Sequence, residues 1–124
     1  MGKLVVSEFV TLDGVFEDPG GAEGFDRGGW AFEQADWTNS TVIRDGVADA
    51  VRSLAREVDG DLLVNGSGRL VEALMAEDLV DEYRLMVFPV VLGAGRTLFG
   101  GATAKLRLAA TQNAGETVIL TYVR

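Results

Sequence analysis

Three short stretches of this chain hold residue types that could handle a small polar or anionic molecule. Gly66-Ser67-Gly68-Arg69 leaves an apolar strand pattern and enters a helical one. In that setting the first amides of a helix point at a phosphate, and the helix dipole favours negative charge. Ser67 could add a hydroxyl and Arg69 a charge, yet the stretch lacks the full G-x-G-x-x-G fingerprint, and Ser67 serves equally as a plain cap. A second glycine turn, Gly93-Ala94-Gly95-Arg96, follows another strand pattern. In an open parallel sheet both turns would lie outside the carboxyl ends of the strands, where ligands gather. Its other reading is a turn that needs positive φ, with Arg96 solvated. Asp13 closes the first strand pattern at the same edge, placed to orient a polar substrate or relay a proton; Asp-Gly is also a common turn pair. Trp30, Phe32 and Trp37 could wall a flat heterocycle or pack on the core or a partner chain. Asp81 and Glu82 read as the solvated start of an element rather than an acid/base pair.

The rest of the composition narrows the chemistry. With no histidine and no cysteine, imidazole acid/base catalysis, thiol nucleophiles and the commonest zinc ligands are absent, and no metal site is expected. Nineteen acidic against eleven basic residues give a net charge of -8, which argues against a nucleic-acid partner. At 48% hydrophobic and 24% charged residues, the 124-residue chain reads as a single folded domain with no membrane span. MGKLVVSEF has a lone lysine and then a strand pattern, not a signal peptide, so a cytoplasmic location is the default expectation.

The elements that must position these residues follow from periodicity. Lys3 to Leu12 is rich in β-branched and aromatic residues and predicts a strand. Phe16 to Trp30 holds one proline and five glycines, the chemistry of a loop. Trp37 to Ile43 predicts a short strand, and Asp45 a cap for a sheet-covering helix to about Val58, with Val47, Val51, Leu54 and Val58 on one face. Asp61 to Asn65 predicts a strand, followed by a helix to Asp78 with Leu70, Val71, Leu74 and Met75 inward. Tyr83 to Leu92 reads as a strand buried on both faces, with a bulge or break at Pro89. A hairpin around Asn113-Ala114-Gly115 ends the order. The pattern describes an α/β domain, mainly parallel with an antiparallel edge.

KLVVSEFVTLDGVFEDPGG, WTNSTVI, GDLLVNGSGRLVEALMAEDLVDEYRL and FPVVLGAGRTLF, in this order, resemble the dihydrofolate-reductase-like family that includes the reductase (RibD C-terminal) domain of bacterial riboflavin biosynthesis. The resemblance implies a three-layer, mostly parallel sheet with a C-terminal antiparallel hairpin. It implies NADPH as cofactor, its phosphates gripped at Gly66, Ser67, Gly68, Arg69 and Leu70, with Gly93, Gly95 and Arg96 lining the same cleft. Asp13 would act at the substrate and nicotinamide, with Thr11, Gly14 and Trp30 on the substrate side. Hydride would pass to a pterin-like or pyrimidine-like ring. Between Phe32 and Trp37 the family carries about sixty further residues that this chain lacks, a truncated form of the fold. Apolar sheet surface left by their loss calls for a homodimer or higher oligomer, the Gly20 to Gly29 loop swinging to support an exchanged strand. The alternative is a scaffold that has lost the nucleotide and serves as an oligomeric binding protein or a cofactor-free enzyme.

Overall fold

Alternating apolar residues in the first strand pattern set the register of the whole sheet. A computed structural model describes residues 2–16, 41–66 and 68–124. Its elements run β1 (Leu4–Thr11), α1 (Val47–Glu57), β2 (Leu62–Val64), α2 (Gly68–Ala76), β3 (Glu82–Phe88), β4 (Arg107–Ala114) and β5 (Thr117–Val123). The strands form one sheet in the order β2-β1-β3-β5-β4. β2 and β3 pair parallel to β1, whereas β5 and β4 are antiparallel. This is the expected α/β architecture.

Leu4, Val6 and Val10 share one face of β1, as period-two geometry requires, and meet Val64, Tyr83 and the buried face of α2, Val71 and Leu74. Leu98 and Val80 close the cluster. Val51 of α1 packs on its margin. Burying these side chains supplies the main stabilisation of the fold.

Several expectations are corrected. Of the expected strand from Trp37 to Ile43, Trp37 to Ser40 lie outside the described residues, and Thr41, Val42 and Ile43 form no strand and are exposed, Val42 by 73%. Asp45 does not cap α1. Gly46 holds that position at φ 60, a left-handed conformation that glycine adopts without a Cβ penalty. α1 covers the sheet less fully than its pattern suggests, since none of its residues is buried and Leu54 stays 39% exposed. β3 stops at Phe88, before Pro89, and its second half is only half-buried. The hairpin turns at Gly115-Glu116, one pair beyond Ala114 and Thr117; Gly115 alone takes positive φ, as a II′ turn requires at its first position.

Glu82 is buried, not solvated. Its carboxylate accepts bonds from Arg84 Nε at 2.7 Å and Lys3 Nζ at 3.2 Å, and the Arg84 bond leads in holding its pKa below the usual range. Asp81 accepts the Leu4 amide and an Arg124 guanidinium bond, each at 2.8 Å, tying the sheet's start to the chain's last residue.

Candidate functional site

The sheet brings β1 and β3 side by side, so the segments leaving them run together. Thr11 lies opposite Phe88. Leu12 N donates to Val90 O at 2.8 Å, and Val15 bridges Thr97. The end of β1 and the second glycine turn are therefore one structural unit.

Asp13 sits at its centre. Thr11 Oγ1 donates to Asp13 Oδ1 at 2.6 Å, and the Gly93 amide donates to Oδ2 at 2.8 Å. The Leu92 amide reaches both oxygens at 3.3 and 3.2 Å. The Thr11 hydroxyl, then the Gly93 amide, lowers the carboxyl pKa to about 2. At neutral pH Asp13 is an ionised acceptor. Thr11 itself is buried, and its hydroxyl also accepts the Val15 amide at 3.1 Å, so it braces Asp13. Gly14 takes φ 80 and accepts a long bond from Leu98 N at 3.4 Å, holding the second turn against the first.

The first glycine turn joins this unit through Phe16. A Cβ on Gly68 would overlap the Phe16 ring, so the aromatic ring occupies the space that glycine leaves at the start of α2. The same ring lies beneath the Arg96 guanidinium, 5.9 Å from its centroid, within cation–π range. Phe16 thus links Gly68 to Arg96. Phe16 N also donates to Arg96 O at 3.2 Å.

Gly66 adopts φ 83 ahead of α2, and Arg69 is exposed in the first turn of that helix. Leu70 is half-buried against the core. Gly93 and Gly95 both take positive φ, at 76° and 122°, as a turn demands. Ser67 and Trp30 lie outside the described residues, as does the Gly20 to Gly29 loop. Among the described residues no group of three or more acidic side chains is arranged to hold a metal ion.

Two site residues escaped the sequence reading. Phe16 looked like the first residue of a loop. Glu8 is the one charge inside the otherwise uncharged run Leu4 to Leu12, a signal that could have marked it. Its Oε1 is sealed from solvent 3.8 Å from the point where a Cβ on Gly66 would stand. A carboxyl group therefore lies beneath the first glycine turn.

The mixed α/β sheet matches the dihydrofolate-reductase-like fold of RibD-type proteins. Residues 32–120 match the RibD C-terminal domain, and the chain belongs to that family. Among its relatives, the uncharacterized protein YwjB of Bacillus subtilis is 40% identical over 86 residues, 68% of this chain and 49% of YwjB. YyaP of the same organism is 33% identical over 66 residues, 53% of this chain and 35% of YyaP. The matches thus span half or less of these relatives' length. The fold is shared with the deaminase/5-amino-6-(5-phosphoribosylamino)uracil reductase of Thermotoga maritima, at TM-score 0.65 and 12% identity over 98% of this chain and 56% of that one. It is shared also with the riboflavin biosynthesis reductase Rib7 of Saccharomyces cerevisiae, at TM-score 0.60 and 10% identity over 98% and 88% of the two chains. The chain is a short form of this reductase-like fold.

Proposed function

We propose that this protein is an NADPH-dependent reductase-like enzyme acting on a pterin- or pyrimidine-like ring. The observation that carries this reading is the junction itself: Asp13 bonded to the Leu92 and Gly93 amides, and Phe16 set between Gly68 and Arg96. A ligand lying across this junction would meet both glycine turns.

The residues present suit the phosphate end of the cofactor. Gly66 takes a left-handed φ just ahead of α2, where backbone amides and the helix dipole favour an anion, while the Phe16 ring fills the space at Gly68. Arg69 and Arg96 add positive charge on the two turns. The nicotinamide, when bound, supplies the hydride. Asp13, ionised and exposed, holds the 91–96 segment in place beside the substrate position. Its part is to orient rather than to shuttle a proton. Small-molecule turnover in the cytoplasm by a homodimer completes the reading. An eight-residue edge strand, β4, exposed along its whole length, is the kind of edge that a second copy of the chain would cover.

Glu8 favours a second reading. A carboxyl oxygen 3.8 Å from where a Cβ on Gly66 would stand takes up room beside the turn, as it would in a scaffold that has given up the nucleotide and binds other molecules or catalyses without a cofactor. Calorimetric titration with NADPH, run beside NADH, separates the two. Micromolar binding selective for NADPH is the expected result; no binding at millimolar cofactor would leave the second reading standing.

A further inference from the structure

The opposite end of the sheet holds a cavity that the proposed reductase site does not use. Tyr83 stands across from Val6 near the start of β3, whereas Phe88 stands across from Thr11 at its end. Five strand residues separate the two sites by about 17 Å. The cavity has a volume of about 490 Å³ and lies between the last turn of α2, the 102–106 segment and Arg124. That is the size of an ordinary small-molecule pocket.

Its wall is a built surface. Met75, Val80 and Leu106 provide apolar contact. Tyr83 is 97% buried, with its ring edge-on to Phe99 at 5.7 Å between centroids. Among the described residues the Tyr83 hydroxyl has no hydrogen-bond partner, yet it is not one of the sealed polar atoms. What remains exposed of this residue faces the cavity that it lines. The hydroxyl can therefore donate to or accept from whatever occupies the cavity.

The charges at the rim say what that partner is. Glu72 and Asp78 balance Lys105 and Arg124. Arg124 is already committed, to Asp78 and to Asp81 at 2.8 Å each. A charged ligand would gain no net attraction from this rim.

We propose that the cavity binds a compact, uncharged aromatic molecule bearing an amide or carbonyl group, its ring against Met75 and Leu106 and its oxygen on the Tyr83 hydroxyl. The thioether of Met75 suits an aromatic ring. Burial raises the Tyr83 pKa above its ordinary value, so the hydroxyl remains a donor throughout the neutral range.

Benzamide, titrated into the full chain and followed by NMR, tests the assignment. Saturable shifts at Met75, Tyr83, Ala104 and Leu106 at millimolar concentration are expected. Tyr83→Phe should weaken binding about fivefold, the worth of one neutral hydrogen bond. Ala104→Trp, which fills the cavity from its exposed rim, should abolish binding. Absence of shifts at these residues, equal affinity in Tyr83→Phe, or retained binding in Ala104→Trp would each overturn the proposal.

Discussion

The Asp13 carboxylate accepts a 2.8 Å hydrogen bond from the amide of Gly93, eighty residues away in the chain. Both residues lie just past the ends of adjacent parallel strands, so the bond closes the first element of the fold onto the second glycine turn. A loop held this way presents its backbone in one conformation.

That bond has a defined pH dependence. Asp13 has a lower pKa in the folded chain, about 2, than an ordinary carboxyl at 3.8. The unfolded chain therefore binds the proton first, and the stability from this link is fully present above the unfolded value. It is lost as pH falls through the folded one. The Gly93 amide resonance should titrate with a midpoint near 2; a midpoint near 3.8 would show the bond absent. Asp13→Ala should flatten that titration.

Gly68 and Phe16 should be coupled. Gly68→Ala puts a methyl group where the Phe16 ring packs and should cost about 1–3 kcal/mol, the usual range for overpacking. Replacing Phe16 by Ala in the same chain should recover much of that loss. Chemical denaturation of the four chains in a double-mutant cycle measures the coupling, and additive losses would contradict the contact.

The core makes a plainer prediction. Leu74 is 1% exposed on the inner face of α2. Leu74→Ala should lower unfolding free energy by about 2–5 kcal/mol through lost burial and the cavity left behind. Ala substitution of Leu54, which is 39% exposed on α1, should cost much less in the same urea titration.

For the proposed cofactor, Ser67→Ala and Arg69→Ala should each weaken NADPH by about 1–3 kcal/mol in calorimetry, if charge-assisted bonds hold the phosphate. Unchanged affinity would remove the first glycine turn from the site. Glu8→Gln should change NADPH affinity in the same titration if the ligand reaches the carboxyl beneath Gly66, and unchanged affinity would place Glu8 outside the site.

Light scattering coupled to size exclusion checks the assembly. The exposed β4 edge leads us to expect two chains per particle. A monomer with native stability would show that the edge tolerates solvent alone.

The order of elements was legible in the sequence because hydrophobic period is a local property. Leu4, Val6 and Val10 announce a strand wherever it lies, and Val71 and Leu74 announce a helix face. The two glycine turns and Asp13 were visible for the same reason, since turn chemistry is written in neighbouring residues. Thr41 to Ile43 form no strand although their residue types favour one, because pairing also needs docking onto an edge, which no local pattern supplies.

Tertiary structure decided the rest through strand order. Placing β1 between β2 and β3 carries Asp13 to Gly93, Phe16 to Gly68 and Glu8 to Gly66. It also buries Glu82 against Arg84 and Lys3, where the sequence suggested solvent. Each of these contacts joins residues set far apart in the chain or turned to one face by pairing, and spacing alone carries no information about either.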